Sequence, residues 1–310
     1  MNEARRGTLP PRSDIITAFD FSAYLAERRD LVDGALDRLL PDEDRDPPSV
    51  HRAMRYSVMA GGKRLRPILV IAGAEAVGGR AETVMPTACA LELIHTYSLI
   101  HDDLPAMDDD DYRRGRLTNH KVFGQAIAIL AGDALLTLAF ELIAGSASDP
   151  RVICEVVGAV AEAAGTRGMV GGQVVDIESE GKTVSGQTLE YIHRHKTAAL
   201  IRVSLCSGAS LAGATPAQTE AIRTAGEDLG LAFQIVDDIL DVEGSLAELG
   251  KTAGSDERKK KVTYPALYGL DVSRAKAREL IGHAHAALAP LGLPAEPIRA
   301  LASFIVERKS

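Results

Sequence analysis

Two aspartate clusters are the residues best placed to do chemistry. Residues 91–107, LELIHTYSLIHDDLPAM, carry apolar side chains at helical spacing and deliver Asp102 and Asp103 just before Pro105, with Asp108 beyond it. Far downstream, in LAFQIVDDILDV, Asp237 and Asp241 stand four apart with Asp238 beside them. Four residues of helix turn the chain by about 40° past one full turn, so Asp237 and Asp241 share a face. Carboxylates set into apolar helices suffer desolvation and mutual repulsion, which a bound cation relieves. Hard oxygen ligands point to Mg²⁺, which takes one or two carboxylates and fills its shell with water and phosphate oxygens. A lone pair of aspartates ordinarily caps a helix or faces solvent; two such clusters, each after an apolar helix, weaken that reading.

Basic residues follow both clusters: Arg113, Arg114 and Arg116 after the first, and Lys251, Lys259, Lys260 and Lys261 after the second. Anion binders beside cation binders suggest a diphosphate, bridged to the carboxylates by Mg²⁺ and neutralised elsewhere by Arg and Lys. Lys259 reads as part of a solvated loop. A third basic string, GGKRLRP at 61–67, sets two glycines before Lys63, Arg64 and Arg66, three donors at a place where backbone and ligand can approach closely. Pro67 suits the first turn of a following helix. His95 lies seven residues before Asp102 on the same helix face, although a single histidine on an apolar helix is usually a satisfied core residue.

The elements that must position these groups read as helices. From Phe21 onward, apolar residues recur at helical spacing, broken near 41–49, 78–80, 145–150, 213–216 and 285–296. Strand content is expected near zero, and the fold class is all-α: one multi-helix bundle over 16–310 behind a flexible N-terminal segment, 1–15. Segments 102–120 and 244–264 are long, charged and follow the aspartates, where mobile active-site loops belong. The 310 residues are 46% hydrophobic and 25% charged, ordinary for a globular chain, and the 4% aromatic content with no Trp favours Ala- and Leu-rich helices. A net charge of -8 opposes a general nucleic-acid role. Cys89, Cys154 and Cys206 lie apart in apolar stretches and are expected as buried, reduced thiols. The apolar stretch 126–144 contains Asp133 and Glu141, which places it in a protein core and predicts no membrane span. The first twenty residues lack the apolar core of a secretory signal, so the expected location is cytoplasmic.

Taken together, GGKRLRP, HDDLPAMDDDDYRRG, GQVVD, HKT, FQIVDDILD and GKTAGSD closely resemble the motifs of the trans-isoprenyl diphosphate synthases, particularly bacterial-type farnesyl diphosphate synthases, over roughly residues 20 to 308. The resemblance implies an isoprenoid-synthase bundle of helices around a central apolar cavity, a homodimer and a Mg²⁺ cluster. Carried over by motif, Asp102, Asp108, Asp237 and Asp241 look like Mg²⁺ ligands, supported by Asp103 and Asp238. Lys63, Arg66, His95 and Arg114 match positions that hold isopentenyl diphosphate, with Gly62 contributing backbone. Arg113, Lys196, Lys251 and Lys261 match contacts to the allylic diphosphate, although Lys260 stands where relatives often have Gly before the last lysine. Thr197 and Gln234 match residues lining an allylic cation, and Gln173 with Asp176 matches a polar pair near the metals; each of these four fits helix packing equally well. The implied reaction is ionisation, condensation and elimination, which needs no protein nucleophile.

In this family, bulk at the fifth and fourth residues before the first aspartate motif limits product length, and here those are Tyr97 and Ser98. Tyr97 lies about 7.5 Å along the helix below Asp102, so a fifteen-carbon product is expected. If Tyr97 only packs between helices, length is decided elsewhere and twenty carbons become the alternative. A terpene cyclase would lack the second full aspartate motif and GGKRLRP. A non-catalytic partner subunit would be expected to have lost metal ligands, and a simple acidic cation binder has no use for the interleaved Arg and Lys.

Overall fold

The computed structural model describes residues 19–243 and 262–307. The segment 1–15, Lys251, Lys261 and most of the loop 244–264 lie outside the described residues. The described chain is all-α, as its periodicity predicts. The helices are α1 (Phe21–Leu39), α2 (Pro48–Val58), α3 (Leu65–Glu75), α4 (Ala81–Asp102), α5 (Asn119–Phe123), α6 (Gln125–Ala144), α7 (Pro150–Ala164), α8 (Met169–Ser179), α9 (Gly186–Ile192), α10 (Ala199–Leu211), α11 (Pro216–Glu243), α12 (Tyr264–Tyr268), α13 (Leu270–Leu288) and α14 (Glu296–Glu307). One π-helical turn, His193–Ala198, joins α9 to α10. Among the described residues the only strands are the two-residue pair β1 (Tyr112–Arg113) and β2 (Arg116–Leu117), a small hairpin inside the first expected loop.

Local chemistry sets the helix ends. Asp20 caps α1 by accepting from the Ala23 amide at 2.9 Å, Asp149 caps α7 ahead of Pro150, and Ser185 caps α9. Two apolar clusters form the core. One gathers α1, α2, α4, α6 and α7; the other gathers α11, α13 and α14. Helices α3 and α10 stand between and feed both: Val70, Ile71, Leu200 and Val203 face the first, Leu69, Ala72, Ile201 and Leu205 the second. A helix buried on both sides must be apolar all round, which is how LRPILVIAGAE and ALIRVSLCSGASL read. Their backbones approach so closely that a Cβ on Gly208 would sit 1.8 Å from the Val70 carbonyl oxygen. This contact fixes the segment after the GGKRLRP loop against the segment after the π turn.

Two sequence expectations change here. Helix α6 is long and apolar enough to cross a bilayer by length and composition, yet only 33% of its apolar window is buried. Ala128, Ala131, Leu135, Ala139 and Ile143 enter the core while Ile129 and Leu130 stay exposed, so one face of α6, not the whole helix, is core. Cys89 is buried and Cys206 partly so, but Cys154 is exposed on the outer face of α7. Burial lifts Cys89 to about 12 and Cys206 to about 11, leaving both as thiols at neutral pH.

Candidate active site

Asp102 is the last residue of α4, and the chain then folds back. The Asp108 amide donates to the Asp102 carbonyl at 2.8 Å, and Asp109, with φ 52°, donates to the Leu104 carbonyl at 3.1 Å. The turn brings Asp108 close enough that its charge acts on Asp102. Burial first, then Asp108 and Asp103, raise the Asp102 carboxyl to about 6, against the opposing pull of Lys196 and Arg113. From α8, Gln173 Nε2 donates to Asp102 Oδ1 at 3.2 Å while its Oε1 is buried without a partner. Three residues on, Asp176 accepts from Lys196 Nζ of the π turn at 2.6 Å. Asp102, Asp108, Gln173, Asp176 and Lys196 therefore converge, as their motifs imply. Thr197 follows Lys196 on the same turn and is half-buried.

The second cluster lies on α11. Asp237 and Asp241 are half-buried, and Asp238 is buried. Asp238 Oδ2 accepts from the Tyr264 amide at 2.8 Å and sits 3.2 Å from His193 Nε2, while Gln234 Nε2 is 3.5 Å from Asp238 Oδ1. Asp238 is thus a tie between segments. Gln234 turns toward that tie.

The basic string divides by function. Arg64 is left-handed, with φ 49°, and its guanidinium is buried against Glu92 at 2.9 Å, Asp33 at 2.7 Å and the Val58 carbonyl at 2.8 Å. It is not an available ligand donor, contrary to its grouping with Lys63 and Arg66. Arg66 keeps a buried Nε without a partner. Burial pulls its guanidinium down to about 10, with Arg114 adding to the effect against Glu92 and Asp237. Arg66 is still a cation at neutral pH, with an orphaned donor suited to an incoming anion. His95 is held well below the ordinary histidine range by burial and then by Arg66, Arg114, Arg113 and Arg64, so it is neutral and offers one N–H. Arg114, with φ 54°, donates to the Gly61 carbonyl. A Cβ on Gly62 would lie 2.7 Å from the guanidinium carbon of Arg114, a flexible end that can shift, so it is the φ of 129° at Gly62 that calls for glycine. Arg113 is clamped on Asp103, with Nη2 and Nε at 2.6 and 2.7 Å. Lys63 is exposed at the mouth of the loop.

The donor set fits Mg²⁺. A crowded, desolvated carboxylate such as Asp102, raised to about 6, is what a divalent ion would relieve. Among the described residues no three acidic, His or Cys side chains form a ready-made ion cage, so an ion held here would complete its shell with water and diphosphate oxygens. Tyr97 is 7% exposed and edge-on to His101, with ring centroids 5.7 Å apart at 78°, and Ser98 Oγ donates to the His95 carbonyl at 2.8 Å. Glu92, Asp33 and His193 escaped the motif reading. A glutamate inside LELIH signals a buried partner, whereas nothing in the sequence ties His193 to Asp238, 45 residues away.

Comparison with known proteins shows the family. The polyprenyl synthetase family model matches residues 47–289. A heterodimeric geranylgeranyl pyrophosphate synthase large subunit from Arabidopsis thaliana is 50% identical over 304 residues, covering 95% of this chain and 81% of that one. A geranylgeranyl diphosphate synthase from Cyanophora paradoxa is 45% identical over 297 residues, covering 95% and 98%. Among solved structures, an FPP/GFPP synthase from Zymomonas mobilis aligns with TM-score 0.83 at 36% identity, covering 92% of this chain and 98% of that one. Two aspartate clusters, the basic loop facing them and a match over most of the length together make this chain a member of the polyprenyl synthetase family, an all-α prenyltransferase of the isoprenoid synthase fold.

Proposed function

We propose that the chain condenses isopentenyl diphosphate with allylic diphosphates and extends the product to twenty carbons, geranylgeranyl diphosphate. Two groups of basic residues near the aspartates support a two-diphosphate reaction: Arg66, Lys63, neutral His95 and Arg114 for isopentenyl diphosphate, and Lys196, whose charge acts on Asp102, for the allylic one, to which the motifs alone also assign Lys251 and Lys261. The allylic C–O bond breaks and diphosphate leaves with the electron pair. The terminal alkene carbon of isopentenyl diphosphate then bonds to the allylic carbon, leaving a tertiary cation, and the carbon beside that cation gives its proton to the released diphosphate as the new alkene forms. Mg²⁺, when bound by Asp102, Asp108, Asp237 and Asp241, supplies charge neutralisation for the departing diphosphate. Lys196, oriented by Asp176, adds a fixed positive charge at the same place. Gln173 orients Asp102, and Thr197 and Gln234 line the space where cationic charge develops.

The observation that carries the product length is the setting of Tyr97. Its ring belongs to the core cluster that gathers α4 and α6 and is edge-on to His101, whose Nε2 lies 3.1 Å from the Ile129 carbonyl of α6. A ring used in helix packing does not have to be a floor, and relatives 45–50% identical carry geranylgeranyl names. One observation favours fifteen carbons instead: burial and then the Asp102 charge push the Tyr97 hydroxyl up to about 12, so the ring lies within the electrostatic reach of the site. The exposed face of α6 supports a homodimer, with a second copy covering Ile129 and Leu130.

Labelled isopentenyl diphosphate, supplied with each allylic starter and Mg²⁺, resolves the product. A twenty-carbon product that Tyr97→Ala leaves unchanged is expected. A product that stops at fifteen carbons and lengthens in Tyr97→Ala would overturn the length assigned here.

A further inference from the structure

Between α9 and α10 the helix does not run straight through. Residues His193–Ala198 form a π turn, in which each carbonyl is reached from five residues on and one extra residue is accommodated. A lone π turn inside an α-helix costs stability and persists only where neighbours hold it. Here it is pressed from two sides. A Cβ on Gly172 of α8 would lie 2.3 Å from the Lys196 amide nitrogen, and one on Gly230 of α11 would lie 2.4 Å from the Ala198 Cβ. Both contacts act on the end of the turn. At its start, His193 is 4% exposed and its Nε2 is 3.2 Å from Asp238 Oδ2, which also accepts the Tyr264 amide. The His193 and Tyr264 rings lie nearly parallel at 23°, with centroids 6.3 Å apart. Nε2 faces that carboxylate, while Nδ1 is buried with no hydrogen-bond partner.

We propose that His193 is a positioning residue: its Nε2 contact with Asp238 anchors the π turn to the second aspartate cluster and so fixes Lys196 and Thr197 opposite Asp102. The observations form a chain of contacts: Asp238 to His193, three residues of π turn to Lys196, Lys196 to Asp176, and α8 back through Gln173 to Asp102. His193 touches no candidate substrate position, so its effect must pass through the turn. The chemistry asks for a donor at the Nε2 position, which glutamine can supply, whereas asparagine presents its amide nearer the Nδ1 position and falls short of Asp238.

The inference rests on the assignment of Lys196 to the allylic diphosphate, and the experiment separates the two. Steady-state kinetics are measured for the full chain and for His193→Gln, His193→Asn and Lys196→Met, varying geranyl diphosphate and isopentenyl diphosphate in turn with Mg²⁺ in excess. His193→Asn is expected to raise the KM for geranyl diphosphate about tenfold with the KM for isopentenyl diphosphate unchanged, as for losing one contact to a charged group. His193→Gln is expected to stay near the parent. If Lys196→Met raises the allylic KM but His193→Asn does not, or if Gln and Asn are equally impaired, the positioning role is wrong. A uniform rise in both KM values with a lowered melting temperature would reduce His193 to a core residue and also overturn the proposal. If Lys196→Met leaves the allylic KM unchanged, the assignment of Lys196 itself fails.

Discussion

The Asp102 carboxyl is raised to about 6, chiefly because it is desolvated and then because Asp108 and Asp103 repel its charge. In an unfolded chain the same group titrates near 3.8. The folded, metal-free protein therefore binds more protons through that interval, and the stability this group contributes is present below 3.8 and lost as pH rises through about 6. Mg²⁺ requires the carboxylate, so binding below pH 6 must expel a proton. Calorimetric titration with Mg²⁺ alone is expected to show affinity falling about tenfold from pH 7 to pH 5 for one such proton, with that dependence lost in Asp102→Asn. A pH-independent affinity would contradict the environment described for Asp102. The aspartates and the basic string carrying Arg66 stood out by residue type and spacing, whereas Lys196 came only from the family resemblance. Arg64 was misread as a ligand donor: the string GGKRLRP does not tell which of three cations turns inward, which depends on the left-handed backbone at Arg64 and on Glu92 and Asp33 arriving from other helices.

Among elements, α3 depends most on tertiary partners. It begins at left-handed Arg64 with no side-chain cap, so the buried Arg64–Glu92 pair takes the place of a local start signal. Glu92→Gln removes the buried partner and leaves buried Arg64 with only the partly exposed Asp33, and it is expected to lower unfolding free energy by about 3 kcal/mol. The same change is expected to raise the KM for isopentenyl diphosphate, since α3 carries Arg66 on its first turn. Urea denaturation checks the first effect, and an unchanged midpoint would contradict it. Helix ends near 41–49, 78–80, 145–150 and 213–216 were legible because capping groups, Pro and Gly act locally. The π turn was not, since HRHKTA has nothing that separates a five-residue bond step from a four-residue one; contacts from α8 and α11 select it. The hairpin at 112–117 was equally silent, being too short to show alternation.

For the whole molecule, composition indicated helices but not which faces remain open. Helix α6 reads as uniformly apolar, yet its neighbours α2 and α4 cover one side only. With the proposed homodimer, the wild type is expected to sediment at twice the chain mass and Leu130→Glu, altering a residue 55% exposed in the single chain, at the mass of one chain. A monomeric wild type would remove the proposed role of that face. The proposed function divides the basic residues brought near the aspartates by α3, α4, α8, the π turn and α11 between two diphosphates, and that division is the central claim. It is tested most directly by measuring both KM values in Mg²⁺ for Arg66→Gln and Lys196→Met. The account predicts that Arg66→Gln raises only the KM for isopentenyl diphosphate and Lys196→Met only that for the allylic diphosphate, each by about tenfold or more for a lost charged contact. Equal rises in both KM values for either variant, or no condensation by the wild type with any allylic starter, would contradict it.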